Sequence, residues 1–596
     1  MHQKHHPPLL PTKRNKLFTA GFLLLCAGSA AAQEITLQSQ ANSSYLTSTS
    51  AGKVTASSAT ASTASEFERL YIGNGYFALK DVKTGHYLSV ANTGNFNVTA
   101  TATTISQSEQ FSAAVQSSGA IALISRINGQ YVTVDTAAGN VLEANSTAIA
   151  APQSFTLAVV NPQEAISGEI NTAVKHQVIT GFGGAEYFYN NFLTANPYSD
   201  EIYQSLFDPI QGLGVNLLRL GNVYAAGGPA NFDPTSQTIV QNAATYYGSA
   251  PTILMSAWSP PAYLKSNNNT TGGTLRKVNG AYDYAGYAQW WHDSITTYRG
   301  LGINPSYVSI QNESDAVVGY ISNSFNPSEE PYNGTQYAGY NKALAAVHSS
   351  FAKLSETPTL IGPETQGIGY NTFQDYVNAL NPKDLGVIAE HLYTGGDPSQ
   401  PDTFNTNMLA IDDQFPKKPK FDTEYYASSA FDYAWIMHNA LVSEEVRAYL
   451  YWALAWPDTQ SGLIYLDNPY TPSTWVYPHG WAPNDQYYAF KHFSYFIHPG
   501  YKRVDALVND PDIRFSAYAA NNNKAGAAVA INTSATRTIT LSVAATGLKI
   551  TNSHVYRSTF SNNSTERWRD LGALQAGNTV SLPPQSVATI SINQEQ

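Results

Sequence analysis

Two glutamates offer the clearest chemistry in this chain. Glu313 follows the run Ser309-Ile310-Gln311-Asn312, and Glu424 follows Lys420-Phe421-Asp422-Thr423. Two carboxylates at the ends of separate barrel strands are the minimum equipment for cleaving a glycosidic bond. One protonates the departing oxygen while the other attacks the sugar or activates water. Asn312, beside the first acid, can hydrogen-bond the sugar hydroxyl next to the reacting carbon. Tyr425, directly after the second, is an edge able to hold a carboxylate ionised. The sequence holds no His-Glu-x-x-His and no paired-Cys spacing, so no metal and no cofactor is expected, and His391 reads as a hydrogen-bonded barrel residue rather than a ligand.

Such acids need strands to aim them. From about residue 179 short apolar runs alternate with longer mixed segments, the pattern of parallel βα units. Eight candidate strands fall at 178–182, 216–220, 253–257, 307–311, 359–363, 387–392, 420–424 and 448–452. Eight units over 179–490 predict a (β/α)8 barrel, in which the residues just past each strand converge on one face. Those ends read Gly183-Gly184, Gly221-Asn222, Trp258, Asn312-Glu313, Glu364, Tyr393, Glu424-Tyr425 and Trp456.

Other segments flank this unit. Phe67, Phe111 and Phe155 recur every 44 residues, with Tyr45, Tyr87 and Tyr131 leading a short β pattern about 23 residues before each. Three such units over 33–160 predict a β-trefoil resembling fascin-like and ricin-like ones, a possible carbohydrate-binding module whose repeated apolar residues build its core. Residues 491–596 alternate as β sequence and predict a β-sandwich side domain, to which the linker 161–178 could lend a strand. Residues 1–32 carry basic residues, an apolar run at 17–27 holding the only cysteine, Cys26, and Ala30-Ala31-Ala32. That is the pattern of an export signal cleaved near Ala32, giving a secreted product, extracellular or periplasmic.

The whole chain, 596 residues, is long enough for several cores. Asp, Glu, Lys and Arg make up only 13%, against a usual value near 25%, while Tyr alone numbers 39. A surface polar by hydroxyl and amide, rich in flat rings with polar edges, suits sugars better than phosphates. The formal net charge is −11, and loss of residues 1–32, with four basic and no acidic side chains, makes it −15. Nucleic acid and anionic membrane are thereby poor partners. A polysaccharide or oligosaccharide substrate, no stable membrane insertion and a monomer are the expectations.

The motifs Gly181-Phe182-Gly183-Gly184, Ser256-Ala257-Trp258-Ser259-Pro260-Pro261, Gln311-Asn312-Glu313-Ser314-Asp315, Thr423-Glu424-Tyr425 and His492-Phe493-Ser494-Tyr495-Phe496-Ile497-His498-Pro499-Gly500 resemble, in order, the signatures of glycoside hydrolase family 30. The resemblance covers roughly 169–596 and leaves out the N-terminal repeats. It implies a clan A retaining enzyme with Glu313 as acid/base and Glu424 as nucleophile, Arg219 supporting the nucleophile and Tyr393 near it. Ser314 departs from the proline common after the family's acid. In a retaining mechanism Glu313 needs a raised pKa while Glu424 stays ionised. Arg219 and Tyr425 are the candidates for holding Glu424, whose own charge would raise Glu313.

Substrate contacts must come from loops. The stretch 456–488 carries Trp456, Tyr465, Tyr470, Trp475, Tyr477, Trp481, Tyr487 and Tyr488, rings able to stack on pyranose faces or to pack beneath the loop. Trp258 and Trp452 are expected nearest the scissile bond, and Trp290 and Trp291 in core. Between Tyr449 and Phe490 there is no Lys or Arg, which argues against obligate recognition of an acidic branch. A neutral β-linked polysaccharide, xylan-type first and cleaved internally, is the leading expectation. An exo-β-glucosidase or glucosylceramidase-like enzyme, a β-1,6-glucanase or galactanase, and a sugar-binding adhesin on an inactive barrel are the alternatives.

Overall fold

The computed structural model describes residues 33–594 except 74–75, 117, 161–165, 226–232, 317, 370–371 and 562–563. The expected export signal, 1–32, lies outside the described residues. Among the described residues no helix is long and apolar enough to cross a membrane.

At the N-terminus, six strands pair antiparallel in turn: Gln33–Ser39, Glu66–Gly73, Tyr76–Asp81, Phe111–Val115, Ile121–Ser125 and Phe155–Val159, the last returning to the first. They form a closed barrel. Three hairpins, led by Tyr45–Ser48, Tyr87–Val90 and Tyr131–Asp135, extend from it. The 44-residue spacing has a physical cause: Phe67, Phe111 and Phe155 are fully buried in one shared core with Leu46, Leu88 and Val132.

The middle of the chain is the eight-stranded parallel barrel. Its strands are Gly181–Glu186, Leu217–Gly221, Thr252–Ser256, Pro305–Ser309, Thr359–Pro363, Val387–His391, Lys420–Tyr425 and Ala448–Trp456, and the eighth pairs with the first to close it. A small apolar cluster plugs the interior, including Leu217, Leu254, Ile361, Val387, Phe421 and Leu450. Helices with buried apolar faces surround it, and Trp290 and Trp291 are core residues of the helix Tyr284–Gly300.

The first strand differs from its expected position. Val178 ends a different strand, Ile166–Val178, and the barrel strand begins at Gly181 and runs through the glycine pair to Glu186. Glycines read as a strand end because they usually punctuate. Here Gly183 is a close-approach glycine inside the strand, where a Cβ would collide with the Leu217 carbonyl of the neighbouring strand.

The C-terminal domain is one continuous nine-stranded sheet. Ile166–Val178 runs antiparallel to Lys502–Val508 and parallel to Ile539–Thr546 near one end, while Ser553–Thr559 and Arg569–Gly572 lie at the other. Val580 and Leu541 from one end and Val555 and Ile590 from the other share a single core, so the sheet curls around it. The barrel's last helix, Asp485–Ser494, is fastened to this sheet through His492, whose ring nitrogens lie 2.9 Å from Thr589 Oγ1 and 2.9 Å from Ser558 Oγ. Burial, then the charge of Lys491, pushes the His492 pKa down to about 3, which keeps the bridge neutral.

Candidate active site

The two acids meet at the C-terminal face of the barrel. Glu313 lies four residues past the fourth strand at φ +44, and its N–H donates to the carbonyl of Glu364 at 2.9 Å. Glu424 lies inside the seventh strand, after a register shift against the sixth that re-aims the pleat. One carboxylate oxygen of each, and one ring nitrogen of His391, all lie within 4.8 Å of one another. Nearest oxygens this close suit direct attack by one acid on a sugar protonated by the other.

Arg219, from the second strand, is the hub. It is fully buried; one terminal nitrogen lies 2.6 Å from Glu424 Oε2, the other 2.6 Å from Asn312 Oδ1 and 3.1 Å from Glu364 Oε2, and Nε donates to Ser256 Oγ at 3.1 Å. Asn312 is therefore held by its oxygen, which leaves the NH2 as the end suited to a sugar hydroxyl. Tyr393 donates its hydroxyl to Glu424 Oε1 at 2.9 Å. Both oxygens of Glu424 are thus engaged.

Tyr425 does not share that task. Alternation along the strand turns it away from the cleft, where its ring packs 6.4 Å from Tyr433 of the helix Ala430–Asn439. Tyr393 occupies the place that adjacency in sequence suggested for Tyr425.

Burial dominates the electrostatics of Glu313. Its pKa is pushed up to about 7 by burial, opposed by Arg219 and the Tyr320 hydroxyl and helped by the charge of Glu364. The expected cause, the charge of Glu424, is not the leading one. Burial also raises Glu424, against the opposing charges of His391 and Arg219. At Glu364 burial would raise the pKa, but Arg219, His391, Ser309 and Thr423 outweigh it and leave a depressed carboxylate. The imidazole of His391 is pushed down by burial and lies with Nδ1 3.1 Å from Glu313 Oε1, as a hydrogen-bonded barrel residue would. Glu313, His391 and Glu424 could in principle ligate a cation, but Arg219 already gives Glu424 its counter-charge.

Above the acids lies a cleft of about 860 Å³. Its walls include Phe188, Trp258, Trp452 and Trp456 together with Tyr320, Tyr393 and Tyr426. Trp258 is almost fully buried, stacked on Tyr187 with ring centres 4.5 Å apart and lying under the Arg219 guanidinium at 4.7 Å. Phe188, 38% exposed and at φ +64, stands 6.2 Å from both Trp452 and Trp456. Most rings of the 456–488 stretch pack. Tyr487 is buried with its hydroxyl on the Ser205 carbonyl, Trp481 donates to Glu201, and Tyr465 and Tyr477 are edge to face at 5.3 Å.

Sequence reading missed Phe188, Tyr320 and Tyr426 as parts of the site, and it placed Glu364 on the active face without a role. Glu364 was legible as a strand end, but the ion pair that gives it a role joins the second and fifth strands across the barrel. Ser314, at the position of the family's proline, is fully buried, and its carbonyl accepts the Phe325 N–H at 3.0 Å. The turn is held by that bond.

No family model matches the chain. It is 25% identical over 376 residues to glucuronoxylanase XynC of Bacillus subtilis strain 168, covering 62% of this chain and 78% of that one. Among solved structures it resembles the GH30 subfamily 8 xylanase Xyn30A of Clostridium acetobutylicum, at 22% identity and TM-score 0.54, over 72% of this chain and 99% of that one. The catalytic domain of GH30 xylanase C of Talaromyces cellulolyticus gives 20% identity and TM-score 0.56, over 72% and 100%. The endo-β-1,6-glucanase BT3312 gives 17% and 0.53, over 72% and 94%. These structural likenesses are likenesses of fold.

Proposed function

We propose that this chain, a retaining O-glycoside hydrolase homologous to the family 30 xylanases, cleaves a neutral β-linked polysaccharide internally, with a xylan-type backbone first among candidates. The observation that carries the reading is the acid pair: oxygens of Glu313 and Glu424 within 4.8 Å, with Glu424 clamped by Arg219 and Tyr393.

The reaction follows from these positions. Glu313, protonated up to about pH 7, gives its proton to the departing glycosidic oxygen while Glu424 attacks the anomeric carbon. The bond to the leaving sugar breaks, its electron pair stays on the oxygen that takes the proton, and an ester forms to Glu424. Glu313, now ionised, then takes a proton from water, which attacks the same carbon and frees Glu424. Arg219 and Tyr393 hold Glu424 charged between turnovers, and the NH2 of Asn312 steadies the neighbouring hydroxyl.

Neutrality of the substrate rests on the walls. Among the described residues lining the cleft are two carboxylates and many rings but no Lys or Arg. Arg219 lies beneath, committed to Glu424, Asn312 and Glu364. An acidic branch would find no counter-ion there, which sets the reading apart from the glucuronoxylanase relative. The complete set of acids and supports speaks against an inactive adhesin.

The remaining parts are read as follows. The N-terminal barrel with its three hairpins is a β-trefoil that targets the enzyme to polysaccharide, the curled C-terminal sheet is the β-sandwich side domain, and residues 1–32 direct secretion of a monomer. Deleting 33–160 should abolish retention on insoluble polysaccharide and spare hydrolysis of soluble substrate.

The deciding experiment is product analysis of the mature protein on xylans, β-glucans, galactans and aryl β-glycosides, beside Glu424→Gln. Oligosaccharides from one neutral backbone, absent with the variant, support the reading. Binding without cleavage would put the adhesin in its place.

A further inference from the structure

An aromatic path leaves the cleft and reaches the surface. From Trp456, ring centres step 4.6 Å to Tyr189, 5.1 Å to Phe192 and 6.1 Å to Tyr470, each contact edge to face. Tyr470 is 61% exposed. Burial does not explain a ring so placed, and it sits on a loop that is built to stay put. Asp467 closes the loop with its N–H on the Gly480 carbonyl at 2.8 Å, and its carboxylate accepts the N–H groups of Val476 and Tyr477 at 2.8 and 3.1 Å. Asn468 holds the tip, accepting the Tyr470 N–H at 2.9 Å on its side chain and the Trp475 indole N–H at 2.8 Å on its carbonyl. Asp467 is the only acidic residue of 467–480, where there is no Lys or Arg, and it is spent on the loop itself.

The geometry points to a distal glycan-binding shelf, with Tyr470 at its far end, that holds sugars of the same neutral polysaccharide chain several units from the scissile bond. The inference rests on the functional reading above and deepens it. Three features select the occupant. The shelf is continuous with the cleft through Trp456, so a chain seated across the acids runs onto it. It offers flat apolar rings with hydroxyl rims, the chemistry of a sugar face and its edge. It carries no free charge for an ionic partner. A rigid loop also presents the ring already ordered, so little entropy is lost when the chain docks.

The test compares the full-length protein with Tyr470→Ala and Tyr470→Phe on two probes, soluble arabinoxylan and 4-nitrophenyl β-xylobioside, which is too short to reach the shelf. Tyr470→Ala should lower kcat/KM on the polymer about five- to tenfold, mainly through KM, and leave the aryl glycoside unchanged. Tyr470→Phe should keep most of the polymer activity. Migration of Glu424→Gln in a native gel containing arabinoxylan, with and without Tyr470→Ala, reads the same contact without catalysis, and retardation should weaken in the double variant. Unchanged polymer kinetics, or an equal fall on both probes, would overturn the shelf. If xylan is not cleaved, the xylan reading fails and the same comparison is run on the β-1,6-glucan or galactan that is cleaved, where selective loss on the long chain still supports the shelf. If no neutral polysaccharide is cleaved or slows the protein, shelf and functional reading fall together.

Discussion

The main-chain N–H of Glu313 donates to the main-chain carbonyl of Glu364 at 2.9 Å, and both residues are held at positive φ, +44 and +50. A left-handed backbone is costly for a side chain other than glycine and is kept where the surroundings over-determine it. Here it sets the acid at the end of the fourth strand against the fifth, while the Glu364 carboxylate reaches under the site to Arg219.

Glu364 is therefore a positioning residue. Replacing it with Gln removes one of the two anionic partners of the fully buried Arg219, which should destabilise the fold by about 3 kcal/mol. It also removes a charge that raises Glu313, so the basic limb of the kcat/KM profile should move to lower pH. A thermal melt beside a pH–rate profile checks both, and an unmoved limb would reduce Glu364 to a packing role.

The two acids should separate by leaving group. Glu424→Gln should lose on the order of 10⁴-fold or more on every substrate, because no nucleophile remains. Glu313→Gln should be comparably poor on polysaccharide but retain formation of the glycosyl ester with aryl glycosides whose phenol needs no proton. Burst kinetics with a nitrophenyl glycoside read the difference.

Hydrolysis should follow a bell-shaped pH profile. Activity needs Glu313 protonated and Glu424 ionised, so it falls on the alkaline side as pH passes about 7, and on the acid side at a pH above the ordinary carboxylate value. Tyr393→Phe removes a 2.9 Å hydrogen bond to the charged form of Glu424. It should move the acid limb upward and cost about 10- to 100-fold in kcat/KM, corresponding to about 1.5 to 3 kcal/mol.

A clamp between barrel and C-terminal sheet should respond to acid. Glu445 accepts from Arg503 at 2.6 Å and lies 2.9 Å from His176, and although burial alone would raise its pKa, His176 and Arg503 depress it to about 2. Its folded value lies below the unfolded one of about 4.3, so its stabilisation is present above that pH and disappears as pH falls toward 2. Glu445→Gln should cost about 2 kcal/mol at pH 6 and roughly half of that near pH 3, checked by denaturant unfolding at both.

Much of this architecture was written locally. Apolar runs between mixed segments marked six of the eight barrel strands to within about two residues and the start of the eighth, which runs on to Trp456, because strands buried on both faces are largely apolar. The first strand was misplaced because its glycines serve a close approach that only the neighbouring strand reveals. The two acids were legible because each stands at the end of a candidate barrel strand, the first with Asn312 directly before it. Their supports were legible only in part: Arg219 and Tyr393 came from a resemblance, and Tyr425 was chosen by adjacency, which the two-residue pleat defeats.

By itself the sequence determined the repeat of the N-terminal barrel, the βα rhythm of the centre, the β character of the C-terminus and the two glutamates. These depend on periodicity and composition, properties of neighbouring residues. Tertiary structure alone decided that Arg219 joins Glu424, Asn312 and Glu364, that burial rather than a neighbouring carboxylate raises Glu313, and that Phe188, Tyr320 and Tyr426 wall the cleft. Those facts depend on which strands become neighbours when the barrel closes and on how much water is excluded there. Contacts between residues 93 and 205 positions apart leave no mark on the local sequence.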